Sequence, residues 1–138
     1  MQRKMLLNSD SRKKIFNVAL DKIMRVEKAE VYIFLYDEPR VYTPGEGWKA
    51  IDKIYLAAYA NESEGKVIFD DCDRNYVEKV LERMKNPNDK KWGSYTLSSI
   101  NFGNNNYGFI VNYGLNTDVL FLSMCGIQIG KSCFRCFN

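Results

Sequence analysis

The chain has 138 residues, 46% of them hydrophobic and 27% charged, a balance that fits one globular domain and excludes a disordered or fibrous protein. Its formal net charge is +3, too mild to require a nucleic-acid partner. It contains no histidine, which excludes Ser-His-Asp and Cys-His catalysis, histidine general bases and every histidine-containing metal site.

The charge is uneven. Residues 1–28 hold eight Lys/Arg against three Asp/Glu, net +5, which leaves −2 for the other 110 residues. The N-terminus has the charged start of a signal peptide in Arg3-Lys4, but its apolar run Met5-Leu6-Leu7 stops at Asn8-Ser9-Asp10. The longest apolar stretch, Val119 to Ile129, is interrupted by Ser123 and Gln128 and is too short to span a bilayer. The cytoplasm is therefore the expected address, with the cysteines reduced.

In chain order, Ser9-Asp10-Ser11 offers helix caps, and Ile15, Phe16, Ala19, Leu20 and Ile23 follow at helical spacing. This predicts a helix over 10–26, with Arg12, Lys13, Asp21, Lys22 and Arg25 on a solvated face. Glu30 to Tyr36 alternates aliphatic with aromatic residues and predicts an inner strand apolar on both faces. Pro39 and Thr43-Pro44-Gly45-Glu46-Gly47 predict a long loop, closed by Trp48.

Asp52 to Ala60 reads as a second strand, 61–65 as a polar turn, and Lys66 to Phe69 as the returning strand. Asp71 or Asp73 would cap a second helix with Tyr76, Val77, Val80, Leu81 and Met84 as its apolar stripe, ending at Asn86-Pro87-Asn88. Ser94–Phe102, the turn Gly103–Asn106 and Tyr107–Tyr113 form another hairpin. Val119–Leu122 reads as one more strand, and Gly126, Gly130 and the final Cys-Phe-Arg-Cys-Phe-Asn as a loosely held end.

The expectation is an α+β fold: a mostly antiparallel sheet of five or six strands with two helices packed on one face, in the order αβββαββ(β). A single domain would span 1–138, with 114–138 an irregular tail or an added strand.

Four groups of residues carry candidate chemistry. Asp52 with Glu64-Gly65-Lys66 has the acid…Glu-x-Lys spacing of metal-dependent nucleases, in which carboxylates hold Mg²⁺ and a lysine helps generate hydroxide. Against that, Glu64 falls in a turn. Glu62, Glu64, Asp70, Asp71 and Asp73 form the strongest acidic cluster, readable as helix capping, as a metal site or as a contact patch for a basic partner. Cys72, Cys125, Cys133 and Cys136 would suffice for a zinc site, but only the last two form a close pair, so free thiols are the simpler reading. The basic first helix would suit phosphates, yet its aromatic, Phe16, lies on the packing stripe. No P-loop, dinucleotide turn or nucleophile elbow is present.

Trp48-Lys49-Ala50-Ile51-Asp52-Lys53-Ile54-Tyr55-Leu56-Ala57-Ala58-Tyr59 through Val67-Ile68-Phe69 resembles the tryptophan-led hairpin of YezG-like bacterial immunity proteins. Asp89-Lys90-Lys91-Trp92, Tyr95-Thr96-Leu97 and Phe109-Ile110-Val111-Asn112-Tyr113 are similar to that family's closing segment. The resemblance covers about a third of the chain and departs from the family in the strand Val31–Tyr36 and in the residues after Tyr113. It implies a cytoplasmic antitoxin, not an enzyme, that binds a cognate protein toxin and blocks its active face. If the toxin is a nuclease, its basic face would meet Glu62, Glu64, Asp70, Asp71 and Asp73; Tyr42 and Trp48 would supply an aromatic contact instead. No cofactor or metal enters that reading. The alternatives are the nuclease built on Asp52, Glu64 and Lys66, and a nucleic-acid-binding module using the first helix.

Overall fold

The computed structural model describes residues 9–27, 30–45, 54–69, 78, 82, 94–114 and 118–137. Helix α1 spans Ser9–Glu27, with Asp10 in its first turn and Arg25 in its last, both of the sign that the helix dipole favours. Phe16, Ala19, Leu20 and Ile23 recur at three- and four-residue intervals, and all are buried.

Five strands follow: β1 (Glu30–Val41), β2 (Ile54–Asn61), β3 (Gly65–Ile68), β4 (Ser94–Phe102) and β5 (Asn105–Gly114). They form one antiparallel sheet in the order β3-β2-β1-β5-β4. The central strand β1 is apolar on both faces, as its sequence predicts. Val31, Ile33 and Leu35 point one way and Tyr32 and Phe34 the other, all buried.

The loop expected from Pro39 begins later, because β1 runs through this residue. Pairing with β5 passes from Leu35↔Gly108 to Arg40↔Asn106, so the residues between them leave the ladder. A proline has no amide to contribute there and is tolerated for that reason. The β4–β5 turn is also tighter than expected. Phe102 pairs with Asn105, and Gly103 takes φ +64 at the first turn position, as a type II′ hairpin asks.

The larger departure is at the C-terminal end. Val119–Leu122 is not a strand, and the end expected to be irregular is helical where it is described: Val119–Phe137 forms a second long helix, α2. Asp118 caps it, its Oδ1 accepting the amide of Phe121 at 3.0 Å. Leu122, Cys125, Ile129 and Cys133 form its buried stripe. Gly126 and Gly130, read from sequence as breakers, lie one turn apart on the side of α2 that rests on β4. A Cβ at Gly126 would overlap the carbonyl oxygen of Ser99, and one at Gly130 that of Asn101. These glycines permit close approach of helix to strand, where a larger residue would hold them apart.

Both helices pack on one face of the sheet, in a core that joins Phe16, Leu20 and Ile23 to Ile33, Ile110, Leu122 and Ile129. The opposite face carries an aromatic cluster of Tyr32, Phe34, Tyr59 and Tyr113 around Leu56 and Val111. The fold is α+β, and its described elements run α-β-β-β-β-β-α. The helix expected near 71–86 falls outside the described residues, except that Glu78 and Glu82 are helical and exposed.

Candidate functional site

Of the residues singled out for partner binding, the described ones, Tyr42, Glu62 and Glu64, do not form one patch. Tyr42 follows the end of β1, half-exposed, its amide donating to the Asn104 carbonyl of the β4–β5 turn at 3.0 Å. Glu62 and Glu64 sit in the β2–β3 turn, beside the start of β1, because Val31 pairs with Ala60. The length of β1 separates the two locations by roughly 30 Å. Trp48, Asp70, Asp71 and Asp73 lie outside the described residues.

Glu64 is occupied by its own hairpin. Its Oε2 accepts the Tyr59 hydroxyl at 3.0 Å and its Oε1 accepts the Asn61 side-chain amide at 3.1 Å, while Asn61 Oδ1 accepts the Glu64 backbone amide. The turn is thus closed by an Asx interaction and a side-chain brace. Lys66, two residues on, pairs with Asp21 of α1 on the helix side of the sheet. Tyr59 belongs to the aromatic cluster on the other side. Glu64 and Lys66 therefore turn toward opposite faces, and the described part of the Asp52/Glu64/Lys66 set does not converge. Asp52 is outside the described residues.

Two of the cysteines, Cys125 and Cys133, serve packing. Cys125 and Cys133 are buried in the core and Cys136 is exposed, all as free thiols. Burial, and secondarily the neighbouring Cys136, pushes the Cys133 thiol up to about 12, so it stays protonated at neutral pH. Burial likewise raises Tyr107, with Cys133 as the second cause, to about 12. Among the described residues no three Cys, Asp or Glu side chains come together as a metal cage. Cys72 lies outside them.

Arg12 corrects the sequence reading of α1 as well. Placed on the solvated face by its type, it is 1% exposed. Its Nη1 donates to the Phe69 carbonyl at 3.0 Å, and its guanidinium lies over the Tyr55 ring at 5.6 Å. The cation fastens the start of α1 to the end of β3 and to β2. Lys13, Lys22 and Arg25 are exposed as expected, and Lys14 is exposed with them.

The feature that sequence reasoning missed is the outer surface of the helical layer. Leu120 is 74% exposed, Met124 61% and Ile127 47%, and Phe134 is partly exposed beside them. With Lys131 they recur at alternating intervals of four and three, the spacing of a seam that receives another helix. On α1, Val18 is 60% exposed, and between the helices runs a groove of about 210 Å³. The signal was present in the sequence: Val119–Ile129 is apolar on more sides than a helix covering one sheet face needs. Such a surface can bind by burying apolar area.

The chain matches no protein-family profile, no characterised protein and no solved structure. Among the described residues no helix is long and apolar enough to cross a membrane.

Proposed function

We propose that this protein acts by binding another protein, and that the partner is a cognate toxin which it neutralises in the cytoplasm of the producing bacterium. The exposed apolar surface of the helical layer, Val18, Leu120, Met124 and Ile127, is the observation that carries the binding reading. Large exposed apolar side chains gathered on one helical layer cost solubility and are retained where they are covered in use. The toxin as partner follows from the resemblance to YezG-like immunity proteins. In this reading the polar residues first considered for contact are supplementary, since Glu64 is engaged in its own turn.

The test is co-expression. Cells carrying the toxic domain encoded next to this chain should grow when the chain is supplied. The double variant Leu120→Asp/Met124→Asp should lose protection while its unfolding midpoint stays within about 0.5 kcal/mol of the parent, because exposed positions contribute little to stability. Full protection by that variant would remove the helical surface from the binding reading. Absence of protection by the parent would remove the toxin.

A further inference from the structure

We infer that the groove between α1 and α2 receives an amphipathic helix of the partner protein whose flanks are acidic. The inference rests on the binding reading and deepens it by giving the partner's chemistry. It also reverses the sign expected from the sequence, in which acids near residues 62–73 would meet a basic face.

The groove has an apolar floor of Ile15, Ala19 and Ile129, and Val18 stands on its lip between Lys14 and Lys22. Those two lysines are eight residues apart on α1, roughly 12 Å along the axis, so they bracket about two turns of a docked helix. On α2 the groove is lined by Cys125, Gln128, Ile129 and Ser132, and Met124 and Leu120 are exposed elsewhere on the same helix. A concave apolar floor between two helices is matched by a ridge of side chains at i, i+3, i+4 and i+7.

Charge selects the occupant. Among the described residues, the exposed cations of the helical layer are Lys13, Lys14, Lys22, Arg25, Lys131 and Arg135, against the exposed acids Asp10, Asp21 and Asp118. Asp21 is paired with Lys66 on the β3 side, and Asp118 caps α2. The charged side chains that line the groove, Lys14 and Lys22, are both cations. A second copy of this chain would bring the same cations face to face, which opposes self-docking. A bilayer surface favours cations too, but it is flat and would leave the recessed floor unfilled.

The experiment uses the full chain and a fluorescent 18-residue helical peptide with leucine and phenylalanine on one face and glutamates on its flanks. A lysine-flanked isomer is the control. Anisotropy at low salt should show the acidic peptide binding at least about tenfold more tightly than its isomer. Lys14→Glu with Lys22→Glu should abolish that preference, and Val18→Asp should weaken the acidic peptide by about tenfold, with circular dichroism unchanged in both. Lys14→Met with Lys22→Met, which removes charge without reversing it, should give an intermediate result.

Equal affinity for the two peptides, or indifference to the lysine substitutions, overturns the inference. So does transfer of the same residue dependence to phosphatidylcholine/phosphatidylglycerol vesicles, or to self-association in sedimentation velocity. If toxin protection persists in the Lys14→Glu/Lys22→Glu chain while Leu120→Asp/Met124→Asp abolishes it, the binding function stands and the acidic-helix groove falls.

Discussion

Helices α1 and α2 are each 19 residues long and share one hydrophobic layer on the sheet, but their outer faces differ in chemistry. α1 turns Lys13, Lys14, Lys22 and Arg25 to solvent, with two exposed valines, Val18 and Val26, among them. α2 buries Leu122, Cys125, Ile129 and Cys133 and still exposes Leu120, Met124 and Ile127. Their anchors differ as well: a buried guanidinium over an aromatic ring for α1, and glycines laid against the backbone of β4 for α2. An apolar stripe is enough to hold a helix on a sheet, as α1 illustrates. The additional apolar residues of α2 face solvent, so the core does not account for them.

The sharpest way to break this contrast is at Arg12. Arg12→Ala strips the Phe69 carbonyl of its donor and removes the stem that packs under α1, and should cost about 3 kcal/mol by urea denaturation. Lys13→Ala, one residue on and exposed, should stay within about 0.5 kcal/mol. Equal effects at the two positions would mean that the buried cation does not anchor α1.

On α2 the corresponding change is Gly126→Ala. Helix propensity alone would stabilise by about 1 kcal/mol. The overlap with the Ser99 carbonyl should outweigh that and leave a net loss of about 2 kcal/mol. A more stable variant would show that α2 does not rest on β4 through this glycine.

A third effect appears only at alkaline pH. The Cys133 thiol is raised from its ordinary 9.0 to about 12 in the folded state. Below pH 9 it is protonated whether the chain is folded or not. Between about 9 and 12 only the unfolded chain releases the proton, so stability is lost as pH rises through that window. Tyr107, raised from 10.0 to about 12, adds in the same direction above pH 10. Urea midpoints at pH 8, 10 and 11 should fall in that order, with a shallower decline in Cys133→Ala. An unchanged slope would place the titration elsewhere.

Much of the fold was legible because its signals are local. The Ser9-Asp10-Ser11 cap with the Phe16–Ile23 periodicity, the two-faced apolar strand from Val31, and the hairpin turns at 61–65 and after Phe102 all depend on neighbours within a few residues. Pro39 and Gly126 misled for the same reason. Each breaks a regular element when judged on its own backbone, and each is accommodated by a contact with another element: a departure from the β1–β5 ladder for Pro39, the surface of β4 for Gly126.

The candidate site was less legible, because surface membership is not a local property. Residue types and spacing determined the helix α1 and the five strands of an antiparallel sheet, while the sixth strand expected at Val119–Leu122 is part of α2. Tertiary structure decided that Arg12 is buried, that Tyr42 and Glu62 sit at opposite ends of β1, that Glu64 and Lys66 turn to opposite faces, and that Leu120 and Met124 meet solvent. Strand register and helix packing bring distant segments together, and only then is it fixed which side of each residue is left for water.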